Sequence, residues 1–583
     1  MRTTSLGILA ILLLPLVVGD YWIYQFGLYF LYAAAAVGIG ACWGRAGFLP
    51  LGQAMFFGIA AYLSGLALIA CDGSATALIF LPLAAAASGL LAYLIAALVF
   101  RGIGESGAYF SMITLALSLL TFQIANNWST VTGGFNGLKG IPGLPGIESY
   151  TASYYVAAVA LILVLGLCGW LYDAPIGILW RALAENERRV ALFGFDTNRL
   201  KAIAFGVSGL VAGIGGVLYA PQQGLVSPQL TGFILSANLV IWVAVGGRGT
   251  LLGPVLGTLI VGALTTQLRD TIPFWEVLMA AFFIFVVLAM PDGLAGAIAR
   301  AATRLTASSH LARKLMGGGA ARPKIMAPAR TLEAGGAQLE IRDVSAGIGE
   351  VAILDRLSFA IRQSGISCII GPNGAGKTST FNLLTGELAA RRGQVVLDGV
   401  MVSGMAPHRI VRRGVGRKFQ IPSVFPDLAI ADNLGIALWS GRASWLDLLR
   451  PRLRRWTSPM LEELCERYPF LAEADRRAAE LSHGERQILE LAMALLTEPR
   501  VLLLDEPCAG LSPEETQGVI DVIRWAAPRL GSAIVVIEHD MSLVKALAAT
   551  VYVLHNGTLL AEGSVAEIQA DPAVRAVYVG SEK

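Results

Sequence analysis

The 583-residue chain is predicted to fold as a polytopic α-helical membrane domain of about ten spans joined to an α/β domain. Two observations carry the membrane half. The composition is 55% hydrophobic and 15% charged, and the mean hydropathy is +0.63; soluble domains carry about 25% charge. Apolar runs close to the roughly 20 residues that cross a bilayer fill the first half. The third observation carries the α/β half. From about residue 338, short β-branched runs alternate with helical stretches, as at 366–370, 501–504 and 534–537.

The spans are placed near 5–19, 21–43, 51–70, 75–100, 108–126, 151–172, 201–221, 232–247, 250–268 and 274–291. Charges are nearly absent inside them, because one at a helix centre costs about 2.5–3.5 kcal/mol. Glu276 lies near the end of its run. The first run also fits a secretory signal after Arg2, although Gly19-Asp20-Tyr21-Trp22 is a poor cleavage site. With ten spans and a cytoplasmic N-terminus, Arg45, Arg101, Arg248 and the basic segment 173–201 all fall inside. Residues 1–295 are therefore read as the transmembrane domain, 296–337 as a basic flexible linker near lipid headgroups, and 338–583 as the α/β domain. The basic clusters flank apolar runs and carry no recognition motif, so nucleic acid is not an expected partner. The cysteines are scattered and form no C-x-x-C pair, which argues against a zinc site.

Gly371-Pro372-Asn373-Gly374-Ala375-Gly376-Lys377-Thr378 fits G-x-x-x-x-G-K-[ST] after an apolar strand and before a helical stretch. Its backbone amides and the following helix N-terminus suit phosphate. Gly371, Asn373, Gly374, Ala375, Gly376, Lys377, Thr378 and Ser379 are the candidate nucleotide contacts, so ATP is the expected cofactor. Lys377 should reach the β- and γ-phosphates, and Thr378 should bind Mg²⁺. A second apolar strand ends in Asp505-Glu506. Beside a phosphate loop, Asp505 reads as the Mg²⁺ partner and Glu506 as the group that polarises the attacking water.

Leu481-Ser482-His483-Gly484-Glu485-Arg486-Gln487 resembles the signature of ABC ATPases, usually L-S-G-G-Q. The resemblance implies an α/β P-loop ABC ATPase domain over nearly all of 338–583. It also implies that Ser482 and Gly484 complete the ATP site of an opposite ATPase subunit. His483 and Glu485 depart from the pattern, and an acid near nucleotide is repulsive unless it points away. By the same resemblance Gln420 is the Q-loop residue, sensing Mg²⁺ and the permease. The D-loop is 509–512, and His539 is the switch histidine at the γ-phosphate. Ile348 stands where the family often stacks adenine on an aromatic ring, which implies weak base selectivity.

The first half resembles the permeases of branched-chain amino acid importers and the similar urea importers. The resemblance rests on the stretches around Gly47-Phe48-Leu49-Pro50-Leu51-Gly52-Gln53, Thr132-Gly133-Gly134-Phe135-Asn136-Gly137, Ala182-Leu183-Ala184-Glu185-Asn186-Glu187 and Val245-Gly246-Gly247-Arg248. Val424-Phe425-Pro426, the signature and Val577-Tyr578-Val579-Gly580 look closest to a urea importer ATPase. The resemblance implies an importer in the bacterial inner membrane with its ATPase domain cytoplasmic. It also implies a solute-binding protein outside, and either a second permease and a second ATPase or a homodimer. The segment from Arg181 to Gly194 is then the coupling helix, with Glu185 and Arg188 as contacts or as a solvated face. The rival class is an exporter half-transporter, which typically has six spans and long cytoplasmic helical extensions.

Overall fold

The computed structural model describes residues 14–103, 107–306, 323–328, 330, 338–362, 365–451 and 455–579. It divides into two compact units. The first comprises Met1–Ala184 and Thr197–Ala321 with Leu449–Pro451; the second comprises Glu185–Asp196, Arg322–Leu448 and Arg452–Lys583.

The first unit is helical: α1 (Asp20–Ile39), α2 (Gln53–Ala70), α3 (Phe80–Ile103), α4 (Gly107–Asn127), α5 (Tyr150–Asp173), α6 (Pro175–Glu185), α7 (Glu187–Ala191), α8 (Thr197–Gln223), α9 (Phe233–Gly246), α10 (Gly253–Thr271), α11 (Trp275–Ala289) and α12 (Gly293–Thr306). Of these, α7 lies in the segment that belongs to the second unit. Nine of the expected spans coincide with helices; of the run at 5–19 only residues 14–19 are described, with a short 3-10 turn at Leu14–Leu16. Six of the described helices are long and apolar enough to cross a membrane; α9 and α11 are shorter apolar helices.

Helix α8 is the centre of this unit, and its glycines explain how. A Cβ on Gly209 would lie 2.4 Å from the Ala92 Cβ, and one on Gly216 would lie 2.0 Å from the Phe57 carbonyl oxygen. Small residues bring helix backbones together where lipid supplies no hydrophobic drive. Buried polar groups are satisfied between helices. Gln53 Nε2 donates to the Ser208 carbonyl at 2.8 Å, and Ser208 Oγ donates to Gln53 Oε1 at 3.0 Å. Outward positions such as Leu83, Leu90, Leu94 and Leu98 of α3 are exposed and apolar, which suits hydrocarbon. Leu138–Lys139 pairs antiparallel with Leu225–Val226, and the Arg248 guanidinium stacks over Trp43.

Among the described residues, the second unit contains two large sheets and one two-stranded pair. β1 (Gln338–Ile348), β2 (Val351–Arg362), β4 (Ala390–Leu397) and β5 (Val400–Met401) form an antiparallel sheet in the order β2-β1-β4-β5. The other sheet contains β3 (Gly365–Ile370), β6 (Val415–Lys418), β7 (Val501–Asp505), β8 (Ala533–Ile537), β9 (Thr550–His555) and β10 (Thr558–Gly563), in the order β10-β9-β3-β8-β7-β6. All its pairings are parallel except β9 with β10. Strands β7 and β8 are buried along their whole length, which explains their unbroken apolar sequence. Residues of both sheets share one core that includes Leu354, Phe381, Leu503 and Val535.

Within the expected tether 296–337, residues 296–306, 323–328 and 330 are described. Its start continues α12. Lys324–Met326 pairs in parallel with Arg455–Thr457. The Arg330 guanidinium donates to the Val411 carbonyl at 2.7 Å and to the Thr497 carbonyl, so one cation serves two helix C-termini. Residues 307–322, 329 and 331–337 lie outside the described residues.

Candidate active site

The phosphate-loop residues follow the C-terminal end of β3, and α13 (Lys377–Leu384) begins at their close. Ligands of parallel sheets bind at these strand ends. Gly374 and Gly376 have φ of +82° and +97°, which disfavour a side chain, and a Cβ on Gly376 would lie 2.8 Å from Leu354. Lys377 Nζ donates to the carbonyls of Gly371 at 2.7 Å and Pro372 at 3.1 Å. Burial lowers the Lys377 pKa against the opposing pull of Glu506 and Asp505. Asn373, Gly374 and Thr378 are exposed, and Ser379 lies in the first turn of α13.

Two acids end β7. Asp505 is buried, and burial raises its carboxyl pKa despite Arg417 Nη2 at 3.6 Å. The desolvated Asp505 carboxylate and the exposed Thr378 hydroxyl are hard oxygen donors, the chemistry that fits Mg²⁺. Glu506 has φ of +41°, and its amide donates to the Ile537 carbonyl at 3.0 Å. Its carboxylate is held from two sides. Gln420 Nε2 donates to Oε2 at 2.7 Å, and His539 Nδ1 lies 3.7 Å from Oε1. The sheet order thus brings Gln420, Glu506 and His539 together from the ends of β6, β7 and β8. A carboxylate fixed by an amide and an imidazole can orient and polarise a water.

The signature opens α14 (His483–Leu496). Ser482 and Glu485 form a reciprocal capping box: the Ser482 amide donates to Glu485 Oε2 at 2.8 Å, and the Glu485 amide donates to Ser482 Oγ at 3.1 Å. Arg476 adds a two-pronged contact to Glu485, 3.1 Å in each prong. Burial pushes the Glu485 carboxyl up, but the Ser482 amide and Arg476 outweigh it and hold the pKa below the usual range. The acid therefore turns back onto its own helix cap. Gly484 lies close to Glu515: a Cβ there would lie 2.0 Å from Glu515 Oε1, so that side chain would have to move aside. Ile348 closes the β1/β2 hairpin opposite Val351, and its side chain is 70% exposed, available to pack on a ring but without a π face.

Glu185–Asp196 folds as part of this same unit. Glu185 Oε2 accepts from the Asp427 amide at 3.3 Å, Asn186 Nδ2 donates to Ser423 Oγ at 3.1 Å, and Arg188 Nη2 donates to Glu387 at 2.9 Å. Both expected contact residues are therefore engaged, Arg188 while remaining half exposed. The residue that sequence reasoning missed is Arg189. It is buried, donates to the Arg417 carbonyl at 2.8 Å, and pairs with buried Glu490 of α14 at 3.2 Å. Glu538 was also missed. It is buried beside the amides of His539 and Cys508, and burial pushes its pKa up to about 7.

Comparison with known proteins matches three stretches of the chain. Residues 21–288 match the permease component of the branched-chain amino acid transport system. Residues 354–509 match the ABC transporter family, and 558–583 match the branched-chain amino acid ATP-binding cassette transporter family. The chain is 36% identical over 249 residues to the high-affinity branched-chain amino acid transport ATP-binding protein LivG of Salmonella typhimurium, spanning 42% of this chain and 97% of that relative. It is 33% identical over 248 residues to BraF of Pseudomonas aeruginosa, with 42% and 97% coverage. A solved ATP-binding cassette of an ABC transporter in its ADP conformation is 29% identical, covering 42% of this chain and 99% of that chain, with a TM-score of 0.36. The chain belongs to the branched-chain amino acid family of ABC transporters, carrying the membrane permease and the ATP-hydrolysing subunit that drives transport in one polypeptide.

Proposed function

We propose that this chain imports a small polar solute across the bacterial inner membrane, with a branched-chain amino acid as the first candidate. One observation carries this reading: a branched-chain amino acid permease and a LivG-like ATPase occur in one chain. Urea or a short amide is the alternative, favoured by the stretches at 424–426, 481–484 and 577–580.

The 371–379 loop and Ile348 hold ATP. Thr378, Asp505 and Gln420 hold Mg²⁺, which when bound offsets the charge of the β- and γ-phosphates. Glu506 takes the proton of the attacking water while Gln420 and His539 fix its carboxylate. Ser482 and Gly484 face the nucleotide of a second ATPase, so the working assembly contains two ATPase and two permease units. These come from a second copy or from unlike subunits. A solute-binding protein delivers the solute from outside, and the ATPase domain is cytoplasmic.

The test is uptake of labelled leucine and labelled urea by cells with and without this gene, with partners left in place. Loss of leucine uptake alone supports the amino acid reading. Loss of urea uptake alone replaces it with the amide reading, and efflux in place of uptake overturns import. In the purified protein, Glu506→Gln should retain ATP and lower hydrolysis by about a hundredfold or more. Undiminished hydrolysis removes Glu506 from its role.

A further inference from the structure

Three parts of the ATPase unit meet at one buried carboxylate. Glu490 lies on the inner face of α14, two turns after the signature, and its side chain is fully buried. Its Oε1 is 3.2 Å from Arg189 Nη2 and accepts from the Phe419 amide at 3.2 Å. Its Oε2 is 3.8 Å from Lys418 Nζ. Phe419 immediately precedes Gln420, whose amide holds Glu506. Arg189 also stacks over Phe193 and Phe419 and donates to the Arg417 carbonyl; the Arg417 side chain faces Asp505.

The grip is made by charge more than by directed hydrogen bonds. Among the described residues, Arg189 Nε and Nη2 and Glu490 Oε2 have no hydrogen-bond partner although all are buried. Buried charges left without full hydrogen bonding are costly, so the contact is sensitive to any displacement of either partner. Packed, charged contacts of this kind can carry energetic coupling between distant sites.

We propose that Glu490 is a positioning residue that ties the 185–196 loop to the signature helix and to the Gln420 strand, so that nucleotide-driven movement of α14 displaces the loop through Arg189. The proposal rests on the ATP-driven transport reading. Because α14 is continuous from the capped Ser482 to Glu490, a shift at the signature reaches Glu490 as a rigid-body movement. Removing Arg189 or Glu490 alone leaves its partner charge buried, whereas neutralising both removes that pair and leaves Lys418 with its hydrogen bond to the Phe419 carbonyl.

The test uses the full chain in the Glu506→Gln background. The rate of tryptic cleavage at Arg181, Arg188 and Arg199 is measured with and without ATP, together with retention of labelled ATP. The parent is expected to change its cleavage rate by at least about fivefold on ATP binding. Arg189→Met with Glu490→Gln should retain ATP but lose that change. If the double variant does not bind ATP, Glu490→Asp keeps every charge but withdraws the carboxylate, and the same loss is expected. An equal ATP-dependent change in parent and variant, or none in the parent, overturns the proposal. Leucine uptake by cells with an otherwise wild-type protein reports separately on the transport reading, because the cleavage assay needs no solute.

Discussion

The buried carboxyl of Glu538 sits one residue before the histidine that faces Glu506, and burial outweighs the opposing pull of His539 and the amides of His539 and Cys508. Its pKa of about 7 against the usual 4.5 means the folded state keeps a proton that the unfolded chain releases. The contribution to stability is therefore complete below about pH 4.5 and is lost as pH rises through about 7, a change of about 3 kcal/mol. Glu538→Gln should flatten this dependence and melt higher than the parent at pH 8; a thermal melt of the ATPase transition between pH 5 and 8 checks it. Arg476 makes the second prediction at this scale. Without it, the Glu485 carboxylate keeps only its helix cap, and a nucleotide presented to the signature meets an uncompensated negative charge. Arg476→Ala should raise the KM for ATP several-fold at low salt and less at high salt, since exposed charge is screened. Adding Glu485→Gln should restore it. Of the individual site residues, those in motifs were legible because the spacing itself encodes the chemistry. Arg189 was not: it stands beside Arg188 in a basic run, and only folding shows that one arginine faces Glu387 while its neighbour is buried on Glu490.

Among the elements, hydropathy and charge placed the helices within a few residues, because lipid admits no long polar stretch. The apolar periods of β3, β7 and β8 read as buried parallel strands for the same reason that the sheet buries them on both faces. Two kinds of element were not legible. The strand Lys324–Met326 has no strong strand pattern and is fixed by pairing with Arg455–Thr457, far along the chain. The packing of α8 depends on which of its several glycines meets which backbone, and sequence alone gives only their number. Gly216 is the most exacting of these contacts with α2. Gly216→Val should drive its side chain into the Phe57 carbonyl and lower the melting temperature of the permease in detergent, with an overpacking cost of about 1–3 kcal/mol. The same substitution at Gly166, where nothing lies within 4 Å of a Cβ, should leave it unchanged.

At the scale of the whole molecule, the order of permease, tether and ATPase was readable, but the chain does not obey that order in space. The second unit takes Glu185–Asp196 out of the middle of the first half and folds it in as its own. The consequence is that the ATPase has no independent complete form within 323–583. An excised ATPase lacks a piece of its own interior, because Lys418 and Glu490 then face a notch shaped for an arginine that the excision has removed. A synthetic peptide of residues 185–196 should act as a prosthesis, raising the melting temperature of the excised 323–583 fragment in proportion to peptide occupancy. The same peptide carrying Arg189→Met should not. Relatives such as LivG are spanned almost whole by this region alone. Fusion makes the donor and the acceptor of that piece parts of one inheritance.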